Sequence, residues 1–510
     1  MLFRSDIKNA NQIWHYDTAQ NSGKKYFSDK SFPSFVHHEN NFNDFTVQSL
    51  MPNYLSRQGP CMAVADVNKD GLDDIFLGGA KGYASSLFIQ NKDGSFTKHP
   101  EPSPDKDSAS EDVAVEFFDA DNDGDKDMYV GSGGYEFGEN DQALQDRLYI
   151  NDGKGNFVKK DKALPVMSTS TGCVKAADID GDGDMDLFVG GRVIPGKYPL
   201  PPRSYLLIND GKGNFTDQTN AIAPALKNIG MVTDAVWMDV NNDHQPDLII
   251  VGEWMPIKVF INNKGVFTER DVPNSTGLWQ TLYSTDINGD GLPDLLAGNY
   301  GHNTKLWSGK NGPVKLYVKD FDKNGSVEQI MAYTVDGKEY TFLAKDELER
   351  SLPVLKKAYL TYGEVAGKTV DYMFYDLFKD YVELKAETLG SAAFINDGHG
   401  GFKKIDLPEP LQLAPVFSFQ QSPGGNGSGR SFVSGGNFYD VIPYEGRYDA
   451  QPMAMFDWSK NNELSYIPQT GLSGIKGQVR DLKWIHTSAF GDLLVVARNN
   501  QSLLFLKYSK

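Results

Sequence analysis

From residue 61 the chain repeats one order of apolar and polar positions. An alternating run ("CMAVADV", "AVEFFDA", "CVKAADI", "AVWMDV") leads into an aspartate-dense loop, and a short apolar run ending in glycine follows ("IFLGGA", "MYVGSGG", "LFVGGR", "LIIVGEW", "LLAGNY"). A third apolar run then closes on an Asn-Asp-Gly type turn, as in "LYINDGKGNF", "LLINDGKGNF" and "AFINDGHGGF". Period-two alternation predicts half-buried strands, the continuous runs predict buried ones, and the Asn-Asp-Gly turns predict hairpins joining a third strand to a fourth. Four antiparallel strands per unit, with first aspartates 53, 59, 61 and 47 residues apart, predict the blades of an all-β propeller.

Counting units gives eight blades, or seven, because the unit at 286 has little room for a fourth strand before 320. The unit at 416–438 keeps its strands but has Pro423, Gly425, Gly427 and Ser431 where the others carry loop carboxylates, so that blade should be metal-free. The last unit, 479–509, offers three strands. Residues 1–50 then form an N-terminal segment that supplies the ring-closing strand, from 44–50 or 12–17, and 51–510 form the propeller. Between about 341 and 390 the period changes: Leu348, Leu352, Leu355 and Tyr359 fall at helical spacing, which predicts a helical insert serving as a recognition element or a structural cap.

The loops carry the chemistry. Six share one spacing, with oxygen ligands at positions 1, 3, 5 and 9 and a carbonyl at 7: Asp66, Asn68, Asp70, Leu72 and Asp74; Asp119, Asp121, Asp123, Asp125 and Asp127; Asp178, Asp180, Asp182, Asp184 and Asp186. The second three are Asp239, Asn241, Asp243, Gln245 and Asp247; Asp286, Asn288, Asp290, Leu292 and Asp294; Asp320, Asp322, Asn324, Ser326 and Glu328. Carboxylates crowded this closely repel one another unless a cation neutralises them, and six to eight hard oxygen donors suit Ca²⁺. The loops begin like an EF-hand, yet position 12 is apolar in all six and a strand follows, so the last carboxylate comes at position 9. His244 replaces the position-6 glycine of the fourth loop and must take its sharp turn; the sixth loop carries Asn324 at position 5 and ends in Glu328.

Composition narrows the function. The net charge of −18 argues against a nucleic-acid partner. Twenty of the 68 acidic residues occupy ligand positions, and the other 48 balance the 50 basic ones, so the acidity belongs to the loops. No apolar run of membrane-spanning length occurs, and the start lacks an apolar leader stretch, which reads as a mature form or part of a longer chain. Cys61 and Cys173, each five residues before a first loop aspartate, read as buried free thiols. No nucleophile elbow, zinc motif or phosphate loop is present, and the eight histidines are scattered.

These loops, with the "FLGGA" and "INDGKGNF" elements, resemble the FG-GAP or VCBS repeats whose calcium-loaded blades also form the head of integrin α subunits. The resemblance spans about 66–510, and together with the helical insert and "GGNFYDVIPYEGRYDA" (435–450) it is similar to large secreted or surface proteins of bacteria. It implies an extracellular or cell-envelope setting and about five or six bound Ca²⁺. The expected function is a calcium-stabilised, non-catalytic binding or adhesion module for a glycan or protein partner, with the insert and Phe438, Tyr439, Tyr444 and Tyr448 as recognition residues unless those aromatics are blade core. The alternative is a calcium-dependent polysaccharide lyase, marked by Lys, Arg, His or Tyr gathered with carboxylates at the axial mouth.

Overall fold

The computed structural model describes residues 26–30, 32, 35–99, 107–306, 312–423, 430–442, 446–459, 463–468 and 470–509. They form eight antiparallel sheets of four strands, one of which takes an extra two-residue strand, Gly277–Leu278. In the sequence-adjacent blades the alternating run is the first strand and the glycine-ended run the second: blade 1 is Met62–Ala65, Asp74–Leu77, Ser86–Gln90 and Phe96–Lys98. Blade 2 begins with Glu111–Phe118, blade 3 with Ser170–Ala177, blade 4 with Met231–Met238, blade 5 with Thr281–Thr285, blade 6 with Val416–Gln421 and blade 7 with Gln478–Thr487.

Those seven first strands pack in a closed ring, the first strand of blade 1 lying against those of blades 2 and 7. The two counts read from the sequence therefore describe one chain: eight sheets, of which seven stand in the ring. The eighth, ordered Lys338–Thr341, Glu328–Val335, Val314–Lys319, Val382–Ala386, is inserted within blade 5 between its second strand, Asp294–Gly298, and its third, Ala392–Asn396. The missing fourth strand of the unit at 286 is Phe402–Asp406, beyond the insert.

The N-terminal segment closes the ring as expected, but from a different stretch. Phe27–Lys30 pairs with Leu504–Tyr508 to complete blade 7. Of the two strands expected for that role, 44–50 instead holds a short 3-10 turn, Asp44–Thr46, whose Asp44 carboxylate accepts from Leu55 and Ser56 N–H, and 12–17 lies outside the described residues.

Apolar side chains of facing blades fill the spaces between sheets: Tyr129 and Leu148 of blade 2 meet Val174, Leu187 and Leu207 of blade 3. The glycines ending the second strands let neighbouring backbone approach; a Cβ on Gly191 would lie 2.3 Å from Arg203 O, and one on Gly298 would lie 2.4 Å from Val416 O. Where the second strands end, a further core forms over that rim, joining Met51, Leu55, Tyr135, Tyr198, Trp254, Tyr300 and Phe438 to Leu316, Val318 and Met331 of the inserted sheet. The aspartate loops of the ring lie at the other ends of these strands.

Helices Lys345–Ser351, Pro353–Ala358, Tyr362–Val365 and Val370–Phe374 follow the inserted sheet's hairpin, within the expected 341–390 range. Leu348, Leu352 and Leu355 are buried against Tyr317, Ile330 and Phe374, with Tyr359 at the edge of the same cluster.

Candidate metal centres and axial channel

All six aspartate loops share one hydrogen-bond plan. The position-1 carboxylate accepts the position-6 N–H: Gly71 to Asp66 at 2.8 Å, Gly124 to Asp119 at 2.9 Å, Gly183 to Asp178 at 3.1 Å, His244 to Asp239 at 2.7 Å, Gly291 to Asp286 at 3.1 Å and Gly325 to Asp320 at 2.9 Å. The position-5 side chain accepts the position-7 N–H, at 2.9 Å from Asp70, Asp123, Asp182, Asp243 and Asp290 and at 2.7 Å from Asn324. Position 6 is left-handed throughout, and His244 follows the glycines at φ +64°.

Each loop thus spends carboxylate oxygens on its own backbone, and three of the six also bring carboxylate oxygens to a common centre. Ligand oxygens of Asp119, Asp121 and Asp127, of Asp178, Asp180 and Asp186, and of Asp320, Asp322 and Glu328 lie within 4.8 Å of one another. Asp119 Oδ1 and Asp121 Oδ1 are buried with no hydrogen-bond donor. Oxygen-only donors converging in this way fit a hard cation, and these clusters can hold a metal ion. The loops at 66, 239 and 286 have Asn at position 3, whose Oδ1 accepts from Asp70, Asp243 and Asp290 N–H at 3.0, 3.1 and 2.8 Å.

The position-9 carboxylates are the deepest. Asp74, Asp127, Asp186, Asp247 and Asp294 are almost fully buried, and Glu328 nearly so. Burial, opposed by backbone donors and reinforced by neighbouring carboxylates, pushes Asp74 and Asp186 to about 7, Asp127 and Asp247 to about 6, and Glu328 to about 7; burial also raises Asp294. Each accepts the N–H of position 2, as Asp186 does from Ile179 at 3.3 Å.

The third-strand Asn, expected as a hairpin residue, does more. Asn151, Asn209 and Asn262 donate their backbone N–H to the position-9 carboxylate of their own blade. Their side-chain amides reach the loop of the preceding blade, donating to Val67 O at 2.7 Å, Ala120 O at 2.9 Å and Ile179 O at 2.7 Å. Position 4 is also left-handed in every loop, at Lys69, Asn122, Gly181, Asn242, Gly289 and Lys323; Asn or Gly in four of the six was the available signal. Neighbouring loops touch directly: Lys69 pairs with Asp125, Asn122 donates to Asp184 at 2.5 Å, and Arg430 of blade 6 donates to Asp286 at 3.0 Å.

Ser431 of blade 6 stands where the others carry the last carboxylate and is fully buried; Gly425 and Gly427 lie outside the described residues. Cys173 is a buried free thiol as expected, whereas Cys61 is free and half-buried. Two of the four aromatics in the segment follow the core alternative. Phe438 and Tyr448 are buried in the rim core, Tyr439 is half-buried beneath Arg447, and Tyr444 lies outside the described residues. Apolar side chains of the rim core claim the Phe438 and Tyr448 rings.

An FG-GAP-like repeat family matches residues 66–130, 137–189 and 239–297, and an FG-GAP repeat family matches 278–318. The chain carries FG-GAP repeats. Each match begins at or contains one of the aspartate loops or the strand after it. No curated protein matches the chain. Among solved structures, the chain is similar to BBS1N crystallised in complex with ARL6DN (9% identity, TM-score 0.41, covering 90% of this chain and 94% of that one). It is also similar to the Vibrio cholerae biofilm matrix protein Bap1 (11%, 0.37, 94% and 92%) and to the Dos1 propeller (10%, 0.38, 91% and 97%).

Along the FG-GAP propeller axis runs a cavity of about 240 Å³, lined by the first strands of the ring and, towards the covered rim, by Leu55, Gln58, Pro60, Arg192 and Arg480. Lys175 pairs with Asp234 at 3.1 Å, Lys483 stands 3.9 Å from Asp481, and Glu116 faces both lysines. Tyr283 also lines it, its hydroxyl accepting from Gln421 N–H at 3.2 Å.

Proposed function

We propose that the chain is a calcium-stabilised, extracellular or cell-surface recognition module that binds a glycan or protein partner without turning over a substrate. About five or six Ca²⁺ would occupy the aspartate loops, held at positions 1, 3, 5 and 9 with the position-7 carbonyl. A Ca²⁺ with that many protein donors is close to saturated and poorly suited to act as an open Lewis acid. The metal's part is to neutralise the loop carboxylates and fix the turns that align first and second strands.

One observation carries the recognition reading. Exposed large apolar side chains concentrate on the insert: Leu360 at 80%, Tyr375 at 77%, Tyr362 at 58% and Tyr372 at 50%, joined by Val354 and Val382. Tyr375 also sits at φ +34°, ψ −109°, a strained backbone for a tyrosine. Exposed tyrosines offer large, rigid contact area at low entropy cost, which suits sugars and protein partners alike. Replacing Tyr362, Tyr372 and Tyr375 with serine should abolish binding to the glycan-array or cell-surface target of the native chain while leaving calcium content unchanged. Full binding by that variant would remove the insert from the interface.

A second reading rests on Lys175, Lys483 and Tyr283 beside Glu116, Asp234 and Asp481 in the channel, the mixture of cations, a phenol and carboxylates that β-elimination of a uronate polymer uses. Incubating calcium-loaded protein with polyuronates decides it: ultraviolet-absorbing unsaturated products would establish a lyase, and their absence across the panel would leave the binding module.

A further inference from the structure

The covered end of the axial channel holds donors that nothing among the described residues accepts from. Arg192 gives its Nη2 to Glu253 at 2.7 Å and leaves Nη1 buried without an acceptor. Arg480 gives Nη1 to Asn437 O at 3.1 Å and Nη2 to Gln478 Oε1 at 2.7 Å, leaving Nε likewise. Ser170 Oγ, also buried, has no partner. All three residues line the channel, the two guanidinium groups are 7% and 3% exposed, and Tyr300 lies within electrostatic range of both. An unmade hydrogen bond on a buried charged donor is costly, so an acceptor is called for.

Arg480 has a distant counter-charge: Asp440 stands 4.0 Å away and also faces Arg57 at 3.6 Å, which has Asp44 within electrostatic range as well. Glu39 adds little negative charge beside Arg480, because burial pushes its carboxyl up to about 8. Nearer the open end, the Glu116 side chain makes no hydrogen bond or ion pair among the described residues, and the first strands, as inner edges of their sheets, face the axis with N–H and C=O groups that no fifth strand covers. A cavity of about 240 Å³ is smaller than drug-sized sites of ~300–1,000 Å³.

We propose that the axial channel is a binding pocket for a small hydroxylated carboxylate of the sugar-acid class, its carboxylate held at the covered end by Arg192, Arg480 and Ser170 and its hydroxyls by Glu116 and the free strand edges. The site is separate from the tyrosines of the insert; it shares the channel and Glu116 with the lyase reading but requires no turnover, so glucuronate binding without unsaturated products from polyuronates supports the pocket apart from that reading.

Calorimetric titration of the calcium-loaded full chain with sodium D-glucuronate, D-glucose and sodium sulfate tests this. Glucuronate should bind at least about tenfold more tightly than either of the others, the carboxylate supplying the first difference and the hydroxyls the second. Ser170→Ala and Glu116→Gln, both checked for an unchanged melting temperature, should each weaken glucuronate about three- to tenfold, roughly the worth of one hydrogen bond. Equal affinity for glucose would remove the acid site, equal affinity for sulfate would leave a plain anion site, and no glucuronate binding, or unchanged binding by both variants, would overturn the pocket outright.

Discussion

Blade 3 and blade 6 reach the same four-stranded sheet by different means. In blade 3 the turn between the first two strands is an aspartate loop: Asp178 holds Gly181 and Gly183, Asp182 holds Asp184, and buried Asp186 ties Ile179 to Asn209. Blade 6 has no such carboxylates; buried Ser431 sits across from Asp457 on the third strand, and its first and second strands pair from Val416–Gly436 to Gln421–Phe432. A blade's strands can therefore pair without a cation, and what the aspartate loop adds is a fixed turn and a bond to the next blade. Arg430 gives blade 6 a share in that belt by reaching Asp286 of blade 5.

Removing calcium should separate the two kinds of blade most strongly. If each site is filled at about five times its dissociation constant, it contributes roughly 1 kcal/mol, so chelation should cost several kcal/mol and lower the melting temperature. Elemental analysis should find about five or six Ca²⁺ per chain before chelation, and an unchanged melting temperature with no bound metal would erase the distinction.

Asp186→Ala comes next. It should lose one Ca²⁺ and about 2–6 kcal/mol, because Ile179 and Asn209 N–H are left buried without an acceptor, each worth about 1–3 kcal/mol. Ser431→Ala, at the matching position of blade 6, should stay within about 1 kcal/mol with full calcium content. Asp182→Ala, at an exposed position, should lose its Ca²⁺ with a smaller stability loss. Equal metal losses from Asp182→Ala and Ser431→Ala would show that the loop register is misplaced.

Asn209→Ala should cost about 1 kcal/mol by unfastening blade 3 from Ala120 O, with calcium stoichiometry intact because the backbone N–H still serves Asp186. A last effect concerns pH, and it is absent at neutral pH. Burial holds the His37 imidazole at about 3, with the charges of His38 and Arg480 adding to the effect. Its folded value lies below the ordinary 6.5, so its contribution is complete above pH 6.5 and is lost as pH falls towards 3. His37→Gln should flatten the acid side of the stability profile of the calcium-loaded protein by up to about 1.4 kcal/mol per pH unit. An identical profile would place His37 in water.

The strands, the loops and the insert were legible because each leaves a local mark: alternation, the D-x-[DN]-x-[DN]-x-x-x-[DE] spacing, and Leu348, Leu352 and Leu355 on one helical face. The assignment of strands to sheets was not. "AFINDGHGGF" could be recognised as a third-strand turn, but nothing in its composition says that it pairs with 294–298, about a hundred residues earlier. Phe27–Lys30 was missed because "FSDK" alternates no more clearly than its surroundings and is a strand only by virtue of its pairing with Leu504–Tyr508. The amide staples were hidden for a related reason: an Asn in a hairpin and an Asn reaching the next blade read the same in one dimension. For Phe438 and Tyr448 the sequence leaves recognition and core equally open, and the rim core built around them decides for the core.

The insert within blade 5 has a consequence for the order of assembly. Gly298 and Ala392 bound a 93-residue excursion, where other blades join these strands by shorter connections. Lengthening a connection from a few residues to that span is about four doublings, or roughly 2.4 kcal/mol of additional closure entropy. The inserted sheet shortens the search, because pairing Val314 with Ala386 brings the ends of the excursion to adjacent strands before blade 5 closes. The insert then acts as a clasp that must fasten first, and slowing it should delay the completion of the ring.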